Sequence, residues 1–340
     1  MSFCAAKGGI VLAFAGRLSA SVAGLFAFLL AGTTSAQAAP LKAYRFGNTY
    51  YVSVRDVAAY YGLGRDIRDV VDRAEYKTSF AQLEMQADRR DILVNGVNHW
   101  LSMPVLVERG RLWIAELDVL KTLDPVLRPE GLRSRSLIRT VVLDPGHGGG
   151  DRGTRGRTGL EKQLTLDLAK RVERNLAGNG VRVVLTRTSD KTVALEDRVA
   201  LARARGADLF VSIHFNSGGS ADGIETYCAP PAGAPSTANE RLNGSDRETV
   251  PSNRFDDQSV WLAHCAQKAL LQATGVVDRG VRRARFYVLR YQSCPAILIE
   301  AGFLSNAGEE QRIMRTDYRE SLAKAIADGV LTYKKTVEFQ

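Results

Sequence analysis

Sulfur and histidine are scarce in this chain: four cysteines and four histidines are spread over 340 residues. No C-x-x-C pair or paired Cys/His spacing occurs, which excludes a sulfur-ligated structural metal site. Cys4 lies near the N-terminus, leaving Cys228, Cys265 and Cys294 for the folded protein. Three thiols give one bridge and one free thiol, or three buried free thiols, and the second outcome is expected because free cysteine behaves as a small hydrophobe. The apolar stretch Val22–Leu30 is too short and too rich in small residues to span a bilayer. An aromatic-interleaved basic patch and a DNA-reading motif are also missing. The formal charge of +9 therefore points to an anionic lipid or an acidic polymer and not to nucleic acid.

The balance of what is present is ordinary. An apolar fraction of 45% and a charged fraction of 24% are those of a globular protein. The length is enough for two domains. Lys7 and Arg17 precede the apolar stretch, and small residues ending Ala36-Gln37-Ala38 follow it. That order is an export signal over residues 1–39, cleaved after Ala38 or Ala39. The mature chain is then expected in the periplasm or cell envelope, with no membrane span and no lipid anchor.

Residues 41–123 read as a small α+β domain. Thr49–Val54 is strand-like, Val54–Tyr61 helical, and Thr78–Met85, Ile92–Val94 and His99–Leu101 are strands. The Asn95-Gly96 pair between two of them is a strong hairpin signal. Arg111–Ala115 and a short helix, Glu116–Leu123, close the unit. Residues 124–136, with two prolines, a glycine and three arginines, read as a linker.

From residue 137 to about 335 strands and helices alternate. Leu137–Leu143, Val181–Thr186, Leu209–Ile213, Gly223–Cys228, Phe286–Leu289 and Ala296–Ile299 are the expected strands. The helix beginning at Glu161 carries Leu164, Leu168, Val172 and Leu176 on one stripe. Leu195–Arg205, Ser259–Ala273 and Tyr318–Tyr333 are the other helices. The fold class is α/β: a mainly parallel central sheet covered by helices on both faces, preceded by the small α+β domain. Between two elements lies the long loop 229–257, either a flap over the substrate or a solvated connection.

Three chemically useful residues follow strands in this second domain. His147 sits in the glycine-rich turn of VVLDPGHGGG, His214 ends FVSIHFN, and Glu300 ends AILIEAG. If those strands are parallel neighbours, the three side chains gather at one edge of the sheet. Glu161 joins them by opening the next helix. Two imidazoles and a carboxylate match a catalytic zinc site with a fourth position for water, and a second glutamate would serve as general base and then acid. Asp144 is assigned to an Asx turn, with orientation of His147 as the alternative. His264 falls beside Gln267 and Lys268 and reads as solvated, and His99 as a surface or packing residue. The glycine loop has no lysine where a phosphate-binding loop needs one, and no ribose-binding acid follows it.

The segments VVLDPGHGG, GLEKQLTLDLA, VVLTRTSD, LEDRVALA, ADLFVSIHFNS, GIETY, DRGVRRARFYVLR and PAILIEAGFLSN resemble the zinc-dependent N-acetylmuramoyl-L-alanine amidase family over residues 138–333. The resemblance implies that His147, Glu161 and His214 bind Zn2+ and that Glu300 is catalytic. It also implies cleavage of the amide between N-acetylmuramic acid and L-alanine in peptidoglycan, an acidic polymer, and a protein activator as partner. Arg187 and Asn216 match family positions without an assignable role. Phe215 and Ala301 depart from the family pattern in packing. An inhibitory contact from Glu240 or Glu248 to the metal would be the simplest autoinhibition. The YYVSVRDVAAYYGLG and ILVNGVNHWLSMPVLVERGRLWIAELDVLKTL segments resemble the copper-amine-oxidase N-terminal-like domain, which here implies a binding or spacer role and no copper.

Overall fold

The computed structural model describes residues 41–64, 68–70, 72–133, 137–239 and 241–338. The expected export signal and Glu240 lie outside these residues. Short alternating segments build the first third: β1 (Ala43–Phe46), β2 (Thr49–Ser53), α1 (Val54–Tyr60), β3 (Arg68–Val70), β4 (Arg73–Lys77), β5 (Gln82–Gln86), β6 (Asp91–Val94), β7 (Val97–Trp100), β8 (Leu106–Glu108) and β9 (Arg111–Ala115). Asn95 and Gly96 both have positive φ, 51° and 80°, as the tight turn between β6 and β7 requires. Thr78–Ala81, expected as the start of a strand, is instead a turn in which Thr78 Oγ1 accepts the N–H groups of Phe80 and Ala81.

The 124–136 stretch is not irregular throughout. α2 (Glu116–Asp118) passes through a π-helical turn, Val119–Leu123, into α3 (Asp124–Leu127), and a 3-10 turn follows at Pro129–Leu132. Pro125 occupies the first turn of α3, where the missing N–H leaves no hydrogen bond unmade, and it is buried with Val126.

The remainder comprises β10 (Thr140–Pro145), α4 (Glu161–Leu176), β11 (Arg182–Leu185), α5 (Leu195–Ala204), β12 (Leu209–Asn216), β13 (Ile224–Cys228), α6 (Asp256–Thr274), β14 (Asp278–Arg283), α7 (Tyr287–Arg290), β15 (Ala296–Phe303), α8 (Ala307–Met314) and α9 (Thr316–Val337). Strand order is β11-β10-β12-β15-β13-β14-β7-β6-β5-β4-β3. β11, β10, β12 and β15 run parallel, and β13 is antiparallel to β15. The sheet continues into the first third where Val281 of β14 pairs with His99 of β7. β1, β2, β9 and β8 form a separate four-stranded sheet.

Alternation along β10 shows why both faces are covered. Val141 and Leu143 join Leu164, Leu168 and Val172 of α4 in one core, whereas Val142 joins Ala202 of α5, Val288 of α7 and Leu298 in another. Continuous apolar strands are what a doubly covered sheet demands. One expectation fails here, and one strand goes unforeseen. Phe286–Leu289 is not a strand, since Tyr287–Arg290 is helical. The strand is the arginine-rich β14, whose charges hide it from a search for apolar runs. Cys228, Cys265 and Cys294 are buried free thiols, as expected.

Candidate active site

The carboxyl ends of β10 and β12 deliver His147 and His214 to the N-terminus of α4, where Glu161 begins the helix. Glu161 Oε1 lies 3.0 Å from His147 Nε2 and 3.0 Å from His214 Nδ1. One ligand atom from each of the three residues falls within 4.8 Å of the others. Burial disfavours the charged Glu161, but the two imidazoles outweigh it and hold its carboxyl well below the usual range. Its other oxygen accepts the Thr154 N–H at 2.6 Å. On the far side of His147, Nδ1 is 2.8 Å from Asp151.

Glycine makes this convergence possible at two positions. A Cβ on Gly146 would stand 2.3 Å from His214 Cε1, and one on Gly153 would stand 2.5 Å from Glu161 Oε2. His147 itself has φ +61°, a left-handed conformation that costs a non-glycine residue about 1–3 kcal/mol and recurs at functional sites.

Glu300 on β15 pairs in register with His214 on β12 and with Glu225 on β13. Its Oε2 is buried and has no hydrogen-bond partner among the described residues. Burial, then the negative charges of Glu161 and Glu225, push its carboxyl well above the usual range. The four residues share a cavity of about 790 Å³ whose walls include Asn216, Phe286 and Tyr287.

The loop carrying His147 is held by buried arginines. Arg187 donates to the carbonyls of Pro145, Gly146 and Lys162, which gives it the role that its sequence position left open. Arg198 donates to the Pro145 and His147 carbonyls and forms a 2.7 Å ion pair with Asp144. Asp144 is therefore not an Asx-turn residue. It ends a central strand, fully buried, and also accepts Thr186 Oγ1 at 2.6 Å and Ser212 Oγ at 2.8 Å.

Sequence reasoning missed Glu225. Its buried carboxylate accepts Asn216 Nδ2, the Tyr227 hydroxyl, Arg279 Nε and Arg282 NH1. The available signal was its alternation with the inward-facing Ile224 and Thr226 in a strand beside the one carrying Glu300. His264 is the opposite case. It is buried and not solvated, with Nδ1 3.0 Å from His99 Nε2 and its ring stacked on Trp261. Over its described residues the 229–257 segment is anchored to the domain at several points. Arg285 binds Asp246 and the Ala234 carbonyl, and Arg90 reaches the Asn239 carbonyl. No described residue of this segment lines the cavity, and Glu248 is exposed. Phe215 and Ala301 are both fully buried in the main hydrophobic core.

Comparison with known proteins gives consistent matches. A family model described as N-acetylmuramoyl-L-alanine amidase matches residues 141–332. The chain is 32% identical over 282 residues to the N-acetylmuramoyl-L-alanine amidase AmiA of Escherichia coli (strain K12), covering 75% of this chain and 95% of AmiA. It is 34% identical over 204 residues to the N-acetylmuramoyl-L-alanine amidase LytC of Bacillus subtilis (strain 168), covering 59% of this chain but only 37% of LytC. Among solved structures it is similar to the catalytic domain of CwlV, an N-acetylmuramoyl-L-alanine amidase from Bacillus (Paenibacillus) polymyxa var. colistinus. That match has 36% identity and a TM-score of 0.49, and covers 58% of this chain and 99% of the other.

Proposed function

This chain belongs to the N-acetylmuramoyl-L-alanine amidase family, and we propose that it hydrolyses the amide joining N-acetylmuramic acid to L-alanine in exported peptidoglycan, as a zinc enzyme of the periplasm or cell envelope. The observation that carries this reading is the meeting of His147, Glu161, His214 and Glu300 in one cavity at the ends of neighbouring strands.

The donor set fits zinc. Two imidazole nitrogens and one carboxylate oxygen converge, from a loop braced by Arg187 and Arg198, from β12 and from the first turn of α4, and three protein ligands are the number a catalytic zinc uses. Asp151 takes the Nδ1 proton of His147 in a hydrogen bond and so presents the Nε2 lone pair to the cluster. When bound, zinc supplies Lewis acidity, which polarises a carbonyl and lowers the pKa of water to about 7.

The chain's own residues do the rest. Glu300 is the proton carrier. Its partnerless Oε2 takes a proton from the attacking water and passes it to the departing L-alanine nitrogen. Burial and the charges of Glu161 and Glu225 raise its pKa, which helps it keep the water's proton until the leaving nitrogen takes it. Phe286 and Tyr287 wall the cavity and limit water around the amide.

The Glu300→Gln variant tests the reading. It should hold zinc at one equivalent by elemental analysis while turnover on a muramoyl-peptide falls by about 10²–10⁴-fold. Turnover close to that of the unaltered protein would contradict the assignment.

A further inference from the structure

The polar row on the catalytic face does not end at Glu300. His214, Glu300, Glu225 and Arg282 stand on the adjacent strands β12, β15, β13 and β14, and Trp100 follows on β7. The Arg282 guanidinium lies over the Trp100 ring, 4.5 Å from its centroid. Arg279 lies over Phe303 at 4.8 Å and keeps about a third of its side chain exposed. Trp100 Nε1 donates to the Arg279 carbonyl, which fixes the indole beside both arginines.

Trp100, Arg279 and Arg282 line a cavity of about 330 Å³ with Asn98, Asp91 and Asp278. Two guanidiniums share the single carboxylate of Glu225. The other two carboxylates are committed elsewhere: Asp91 pairs with Arg89, and Asp278 accepts the Asn98 and Gly280 N–H groups and Gln267 Nε2. Glu225 therefore balances only one of the two guanidiniums, while Asp278, whose partners are all neutral donors, carries a further negative charge on the same wall. A series of shared wall residues runs from this cavity to the catalytic one. Arg282 lines a further cavity of about 470 Å³ with Tyr227 and Phe286, and Phe286 borders the cleft holding Glu300.

We propose that Arg279, Arg282 and Trp100 form a subsite that binds a free carboxylate of the stem peptide, two or three residues beyond the bond cleaved. The inference rests on the amidase reading and goes on to name which part of the substrate this surface recognises. Reach supports it. β14 lies two strand spacings from β15, about 10 Å, and an extended peptide covers about 3.3–3.6 Å per residue. The carboxylate of the second or third stem residue thus arrives at the arginines when the L-alanine amide is at Glu300. Arginine forks suit a planar carboxylate, and an indole face shields the pair from water.

Two muramoyl-tripeptides test this, both N-acetylmuramoyl-L-alanyl-γ-D-glutamyl-L-lysine, one with free carboxylates and one with both amidated. The unaltered protein should favour the free form by about tenfold or more in kcat/KM, chiefly through KM, the size expected for one charge-assisted contact. Arg279→Gln should bring the two values together, and Arg279→Lys should restore part of the difference. Equal values for the unaltered protein, or an unchanged preference in Arg279→Gln, would overturn the subsite and leave the arginines only as supports for Glu225. Hydrolysis of neither substrate would overturn the amidase reading itself, and the subsite with it.

Discussion

His147 stands between two carboxylates, with Nδ1 2.8 Å from Asp151 and Nε2 3.0 Å from Glu161. In the proposed site Asp151 would fix the tautomer and Glu161 would share the metal position. Asp151 lies four residues along the same glycine loop, so under the proposed zinc site a single turn would supply both a ligand and the group that aims it.

Asp151→Asn should therefore weaken metal binding without disturbing the fold. The expected loss is about 10–100-fold in zinc affinity, measured by competition with a chromogenic chelator. An affinity equal to that of the unaltered protein would mean that Asp151 only shapes the turn.

Arg198 and Asp144 form an ion pair with both side chains almost wholly buried. Removing one partner of such a pair strands the other, at a cost of about 3–5 kcal/mol. Arg198→Met should lower the urea stability by about that amount. Because Arg198 also holds the His147 carbonyl, zinc affinity should drop as well. A loss below about 1 kcal/mol would show that solvent or a shifted neighbour takes over its contacts.

The His99–His264 pair sets a pH limit on stability. Burial and the Lys268 charge depress His264 to about 3, and burial, His264 and Arg283 hold His99 well below its ordinary value. Both folded values lie beneath the unfolded one of about 6.5. As pH falls below that, the unfolded chain takes up protons that the folded chain refuses. Stability should decline from about pH 6.5 toward pH 3, with His264 contributing about 2 kcal/mol at pH 5 and His99 adding in the same direction. Urea midpoints at pH 7.5 and 5.0 measure this, and His264→Phe should flatten the difference. The same difference in that variant would place the sensitivity elsewhere.

What could be read from the sequence follows from where the physics is local. His147, His214 and Glu300 were legible because each ends an apolar run that can only be a buried strand, and Glu161 because it opens an amphipathic helix. Misreadings came where polar residues are buried. His264 looked solvated beside Gln267, yet Gln267 is itself buried, bonded to Thr226 and Asp278 in a polar seam under α6. β14 has the sequence DRGVRR, and its arginines are tolerated in a strand because Glu225 and Trp100 receive Arg282 and the Lys121 carbonyl receives Arg283. Asp144 carried no local sign that Arg198, 54 residues later, would reach it. Those are tertiary facts, and no periodicity encodes them.

The most direct measurement is mass spectrometry of purified peptidoglycan digested by the protein, with and without a chelator. We expect intact stem peptides with free L-alanine amino termini, and glycan strands with unsubstituted muramoyl lactate, only while zinc is present. Stems shortened at internal peptide bonds, or the same release after chelation, would contradict a zinc-dependent amidase built on His147, Glu161, His214 and Glu300.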